Sequence, residues 1–267
     1  MQSTPRSFGD VLTDGMRTLG AVWKSLIAPS LGAFIPMGAL TLAAFQATGG
    51  TEFLRLSLSD PEVLETMTRD EFLEVALPFA GASLIAIALQ AIASAFIALA
   101  VSYIVAARVD GSPISAGSAS RSALGRMPKV IFAGILAVIG VSLGTLLLIL
   151  PGVWLAISLS MTTHVVALED RGVIGSLTRS IRLVRGRWWE TFGFVLLVGL
   201  MGSVAGQMLQ FVALPLLAVG DISTSLALVF VGGLILQGFV VAAIAVMTTV
   251  WYLDLTAKST ALSATTH

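Results

Sequence analysis

Long apolar stretches alternate along the chain with short clusters of charge. Reading from the N-terminus, apolar runs cover residues 25–47, 77–107, 130–168, 191–214 and 225–253. A helix that crosses a bilayer needs about 20 mostly apolar residues. The first run contains Pro29 and Pro36; the second opens with Pro78, which suits the first turn of a helix. At 130–168 the chain carries no Asp, Glu, Lys or Arg, and the stretch is too long for one crossing. Pro151-Gly152 near its middle is turn chemistry, so the run divides into 130–150 and 153–168. The second arm is short, and a re-entrant element is the alternative to a full crossing. The last two runs are separated by Pro215, Gly220 and Asp221. The pattern predicts an all-α membrane protein of about six transmembrane helices, arranged as three hairpins.

The segments between the runs fix an expected orientation. Lys and Arg favour the cytoplasmic side of a membrane. With both ends inside, segments 1–24, 108–129, 169–190 and 254–267 hold 13 of the 15 basic residues. The outer segments hold only Arg55 and Arg69. A five-span reading, with 130–168 as one crossing, would place the basic loops 108–129 and 169–190 on opposite sides. Residues 1–24 contain Asp10, Asp14, Arg17 and Lys24 and lack the early apolar core of a cleavable signal. The one sizeable outer segment, 48–76, carries seven acidic residues from Glu52 to Glu74. Asp60-Pro61-Glu62 and Thr68 with Glu71 read as helix starts, giving an acidic helical cap. A solvated polar face explains its charge; a cation site is the sharper alternative.

Two of the inner segments have an amphipathic pattern. In 7–23, Ser7 and Asp10 form an acidic capping box, and Phe8, Leu12, Leu19 and Trp23 share a face. In 172–188, Ile174, Leu177, Ile181, Val184 and Trp188 make an apolar stripe, with Arg179, Arg182 and Arg185 off it. Such a helix can lie in the membrane interface, arginines toward anionic headgroups, each basic residue contributing about 1 kcal/mol. Arg187 and Trp188 extend that candidate headgroup site. Gly117–Ser122 matches Gly175–Ser180 in pattern, with Lys129 and Arg187 equally spaced beyond, as a duplicated unit of helix and hairpin would require.

Composition sharpens the class. The chain has 267 residues, 56% hydrophobic and 11% charged, with a mean hydropathy of +0.95, against about 25% charged in a soluble domain. It has no cysteine, hence no disulfide, thiolate metal site or cysteine nucleophile. No phosphate-cradling Gly-rich loop, HExxH or GxSxG occurs. No metal, cofactor, catalytic residue or nucleic-acid partner is expected. The basic residues sit where headgroups explain them, which makes anionic lipids the expected partners, with a protein partner or a second copy in addition.

The stretch 150–190 is similar to a known group. It reads Leu150-Pro151-Gly152-Val153-Trp154, then Val165-Val166-Ala167-Leu168-Glu169, Gly172, Ser176-Leu177, Arg179-Ser180, Leu183-Val184, Arg185-Gly186 and Trp188. This resembles a widespread group of bacterial integral membrane proteins, including the membrane domain attached to some glycerophosphodiester phosphodiesterases. Tyr252-Leu253-Asp254 resembles the end of that domain. Ser176 departs from the group's usual Ala, and the tail beyond Asp254 has only Lys258 as a base. The catalytic barrel of those enzymes, with its paired histidines, has no counterpart, since His164 and His267 are the only histidines. The resemblance implies a bacterial inner-membrane location and a membrane fold, and carries over no enzyme activity. It makes Pro151, Gly152, Trp154, Glu169 and Arg171 structural residues of the membrane edge.

The remaining polar candidates lie in or beside the spans. His164 has Thr162 and Thr163 before it and reads as a local hydrogen-bonding group, with ligand or proton handling as the functional alternative. Glu169 is expected to pair with Arg171, Arg179 or Arg182; part of a substrate site is the other reading. Gln90, Gln207, Gln210 and Gln237 suit hydrogen bonds between helices, or a polar substrate path. Gly140-xxx-Gly144 and Gly202-xxx-Gly206 permit close helix approach. The expected function is that of a non-enzymatic membrane module that binds anionic headgroups and supports membrane or envelope homeostasis. The alternative is a transporter or lipid-translocating protein.

Overall fold

The structure, a computed structural model, describes the backbone of residues 7–213 and 222–265, and the side chains of these residues other than 58–59, 209–213, 222–231, 234–235 and 260–265. All elements among them are helices: α1 Phe8–Thr48, α2 Thr51–Ser59, α3 Pro61–Thr66, α4 Arg69–Val109 and α5 Ala116–Leu147, then α6 Ile149–Leu159, α7 Thr162–Leu168, α8 Val173–Arg185, α9 Trp188–Ala213 and α10 Ile222–Thr265. Six segments are long and apolar enough to cross a membrane: Phe8–Thr48, Arg69–Val109, Ala116–Leu147, Ile149–Leu168, Trp188–Met208 and Leu236–Ser259. That is the number the hydrophobic pattern predicts. The Pro215–Asp221 connection lies outside the described residues.

α1 packs along both α4 and α10; α4 also meets α5, α7 and α10, and α9 lies against α10. The core is small-residue and β-branched, with Ile97, Val101, Val105, Val165, Val184, Val246 and Trp251 almost fully buried. The contrast between inside and outside is not one of polarity. Leu77, Leu84, Ile87, Phe132, Val138 and Leu200 are all more than half exposed, as suits helices whose surroundings are acyl chains.

Several sequence boundaries move. The stretch 7–23 does not form a helix of its own but runs unbroken into the first span as α1, started by the predicted Ser7–Asp10 capping box. Its inward face is Val11, Gly15 and Val22, with Phe8, Leu12 and Leu19 beside it, while Trp23 is 52% exposed. Gly15 packs against the flexible end of Met247, where a Cβ would stand 2.5 Å from the sulfur. Likewise the basic stretch 114–129 is the first half of α5 rather than a separate element. Helix α5 even runs on through Pro128, and tertiary packing holds both helices continuous.

The acidic segment folds as predicted, into the short helices α2 and α3. Pro61 takes the first position of α3, and Thr68 caps α4 through a reciprocal box with Glu71. Phe53 from α2 packs on Phe72 and Phe79 of α4 at centroid distances of 6.1 and 4.7 Å, and Phe45 of α1 on Phe79 at 5.7 Å. Apolar rings thus hold the acidic cap onto the α1–α4 pair.

The turn in 130–168 is not at Pro151-Gly152. It falls on Leu148, the one extended residue between α5 and α6. Pro151 instead occupies the first turn of α6, where its missing N–H has no intrahelical partner to lose. Gly152 lets α6 approach α5: a Cβ there would lie 2.8 Å from the Thr145 Cα. The second arm is also not one helix. It breaks at Ser160-Met161, between α6 and α7.

Candidate functional site

The break between α6 and α7 sits deep in the bundle, and the polar residues gathered around it form two layers. The inner layer is neutral. His164 of α7 is 3% exposed; its Nδ1 lies 2.9 Å from the Ser102 hydroxyl of α4 and 3.4 Å from the Thr249 hydroxyl of α10. Ser102 already donates to the Ala98 carbonyl and Thr249 to the Ala245 carbonyl, each at 2.6 Å. A hydroxyl has one proton to give. With both hydroxyl protons engaged by those carbonyls, the arrangement suits an imidazole whose Nδ1 carries the proton. The partners expected from sequence were local; those found are on two other helices. At the start of α7, the Thr162 hydroxyl is buried with no hydrogen-bond partner among the described residues.

The outer layer is charged, and Glu169 is its centre. The carboxylate accepts from Arg179 Nε at 3.0 and 3.2 Å, from Arg171 Nε, and from the Tyr252 hydroxyl at 2.9 Å. Burial raises its pKa, but the hydrogen bonds from Arg171, Arg179 and Tyr252 outweigh that and hold it below the ordinary carboxylate value. Tyr252 is the link between the layers, since its ring lies 5.9 Å from that of His164. Arg126 of α5 closes the same corner by donating to the Val166 and Glu169 carbonyls at 3.1 and 3.4 Å, and with Lys129 it faces Asp170.

A second charged knot lies at the start of α9. Arg187 pairs with Asp254 of α10 at 2.8 Å and with Glu190, and its guanidinium stands 4.9 Å over the Trp251 ring. Burial works against its charge, yet the two carboxylates raise its pKa on balance. Lys258 also reaches Asp254 at 3.0 Å.

Of the predicted headgroup residues, Arg179 and Arg187 are therefore engaged by carboxylates. Arg182 and Arg185 are exposed, and among the described residues neither has a carboxylate partner. The face of α8 that turns inward overlaps the predicted stripe at Val184, with Leu177 and Trp188 packed beside the core, but it is rotated from it toward two serines. Ser176, Ser180, Leu183 and Val184 are buried, and Ile174 is 65% exposed. The small hydroxyls win because they let α8 come close. Ser180 donates to the Ser158 carbonyl at 2.8 Å, serving the backbone where α6 ends. Trp188 donates to the Trp154 carbonyl at 3.4 Å and stacks on Phe192.

Gln90, Gln207 and Gln237 do not join the His164 cluster, whose hydrogen bonds run through Ser102, His164 and Thr249. Gln90 and Gln237 are half-buried and Gln207 is exposed; the side chain of Gln210 lies outside the described ones. Gly202 packs on Ile244 of α10 and Gly206 beside Gln237, so this pair serves the α9–α10 contact. Gly140 meets nothing within 4 Å, and Gly144 alone packs on α6. Of the matched motif, Arg121 is exposed on α5 whereas Arg179 is paired, so the two copies sit in different surroundings.

Sequence reasoning missed Ser102 and Thr249. Each is a small hydroxyl residue in a charge-free run, bonded to the carbonyl four residues back, and no spacing marks it. No cluster of His, Asp and Glu suited to a metal occurs among the described residues. No curated protein and no solved structure matches the chain. The model of one family, described as a domain of unknown function, DUF7847, matches residues 3–262, and the chain belongs to that family.

Proposed function

We propose that the protein is a non-enzymatic, multi-pass module of the bacterial cytoplasmic membrane, with both ends in the cytoplasm, that grips anionic lipid headgroups and supports membrane or envelope homeostasis. The observation carrying this reading is the division of labour among the arginines of 171–187. Arg171 and Arg179 pair with Glu169, and Arg187 with Asp254 and Glu190, while Arg182 and Arg185 are left exposed on α8. Trp189, 76% exposed beside them, suits the headgroup level. Helix α8 is then an interfacial element held at a fixed height by its ion pairs. The α1–α4, α5–α7 and α9–α10 pairs would be the three hairpins, and the similarity of 150–190 to the phosphodiesterase-associated membrane domains supports the setting.

The test is native mass spectrometry of the purified protein with phosphatidylglycerol, comparing wild type with Arg182→Glu, Arg185→Glu. Loss of bound phosphatidylglycerol with an unchanged thermal midpoint is the expected result. Equal retention would sink the headgroup reading.

One observation favours a second reading, a transporter or lipid-translocating protein. Broken helices mark binding sites in many transporters, and the break at Ser160-Met161 holds the unpartnered Thr162 hydroxyl close to His164. Two accessibility states of His164 would support that reading over the first.

A further inference from the structure

The turn between α5 and α6 is unusual for a place where a chain reverses direction. Leu146, Leu147, Leu148, Ile149 and Leu150 are 84, 79, 68, 71 and 81% exposed. No charged residue lies between Lys129 and Glu169. The turn is tight as well as apolar, closed by Gly144 against Gly152 and by Gly152 against Thr145. Five large aliphatic side chains in a row, at the tip of a rigid hairpin, are poorly suited to water.

Its reach points the same way. From Val130 to Leu147 the apolar part of α5 extends about 27 Å at 1.5 Å per residue, just under the roughly 30 Å of a hydrocarbon core. From Ser25 to Thr48, α1 extends about 36 Å and ends in the acidic cap. One turn is long enough and polar enough to emerge, and the other is neither.

The backbone of the tip is adapted to a dry setting. Groups that reverse direction in lipid must find partners within the chain or at the headgroup boundary. The Leu148 N–H donates to the Gly144 carbonyl at 3.0 Å. In the first turn of α6, Pro151 has no N–H to leave unpaired. The free N–H groups that begin α6 are ones that the ester oxygens at the headgroup boundary could accept from, and the last carbonyls of α5 would take their donors from headgroup hydroxyls or interfacial water there.

We infer that the α5–α6 hairpin ends inside the bilayer, with residues 146–150 seated among acyl chains beneath the headgroups on the acidic-cap side. The occupant of this apolar surface is lipid rather than protein, because the tip continues the exposed apolar face that α5 presents at Phe132, Ile135, Val138 and Leu143. The inference rests on membrane insertion of the bundle and not on headgroup binding by α8.

The chain has no cysteine, so single nitroxide labels can be placed directly. Leu147→Cys, Val138→Cys on the side of α5, and Glu65→Cys on the cap would be labelled in full-length protein in phosphatidylcholine–phosphatidylglycerol liposomes. Collision with dissolved oxygen and with a water-soluble nickel chelate would then be measured. At Leu147 the expected result is oxygen access with loss of the nickel broadening seen at Glu65. Nickel access at Leu147 while Val138 stays protected would overturn the inference, since the tip would then stand in water. Exclusion of both reagents at Leu147 would overturn it too, because protein would then cover the tip. Nickel access at Val138 would overturn membrane insertion itself, and the inference with it.

Discussion

The two polar layers around α7 are neighbours in space and opposites in construction. The outer one is built from full charges in ion pairs: Glu169 is shared by Arg171 and Arg179, with Tyr252 completing the carboxylate. The inner one contains no ion pair. It joins an imidazole to two hydroxyls, each hydroxyl also tied to its own helix. The difference follows from what burial does to charge. At the edge, where Arg171 is exposed, an ion pair keeps some hydration and costs little. In the interior an unpaired charge is expensive, whereas a neutral hydrogen bond can be satisfied. α10 spans both layers, contributing Thr249 to one and Tyr252 to the other.

The sharpest way to break this comparison is at Glu169. Glu169→Gln should cost about 2 kcal/mol, because it leaves partly buried Arg179 without its countercharge. A thermal midpoint well below wild type checks this. The same residue sets an acid response. Its folded pKa lies below its ordinary value, so its stabilisation is complete above the unfolded value near 4.5 and is lost as pH falls through the depressed one. The wild-type midpoint should therefore fall on acidification below about pH 4.5, and the Gln variant should lose less over the same interval. Equal slopes would mean that the pair is already hydrated.

Ser102→Ala probes the inner layer. It removes the nearer of the two hydroxyl partners of His164 Nδ1 and leaves only Thr249 at 3.4 Å, for an expected loss of about 1 kcal/mol and no change in acid response. The smallest effect belongs to Thr162→Val. An unpartnered buried hydroxyl stabilises nothing, so the variant should match wild type or exceed it by less than about 1 kcal/mol. A clear destabilisation would show that the hydroxyl has a partner in the membrane, and would favour the transport reading.

The fold was largely legible in the sequence. Charge-free runs gave the number of crossings, and Ser7–Asp10, Pro61 and Thr68–Glu71 gave helix starts confirmed at atomic detail. What misled was punctuation. Pro151-Gly152 reads as a turn, yet proline is also at home in the first turn of a helix, and the reversal falls on a leucine without any turn signal. Glu169 was legible as an ion-pairing residue because its arginines lie within ten positions. Ser102 and Thr249 were not, because they lie 62 and 85 positions from His164 and only the packing of three helices joins them. The stripe on α8 held only in part. Val184 is buried as its periodicity requires, but close approach also turns Ser176 and Ser180 inward and leaves Ile174 outside.

The pairing of Arg171, Arg179 and Arg187 also sets the valence of the surface that α8 offers. Five arginines stand between 171 and 187, and of these Arg182 and Arg185 are the two with no carboxylate partner among the described residues. At about 1 kcal/mol for each basic residue near an anionic surface, the attraction from these two would be roughly 2 kcal/mol, or about a thirtyfold preference. On the proposed reading such a contact would be reversible. It would weaken as ionic strength shortens the Debye length, and a lipid held there would exchange readily with the surrounding leaflet.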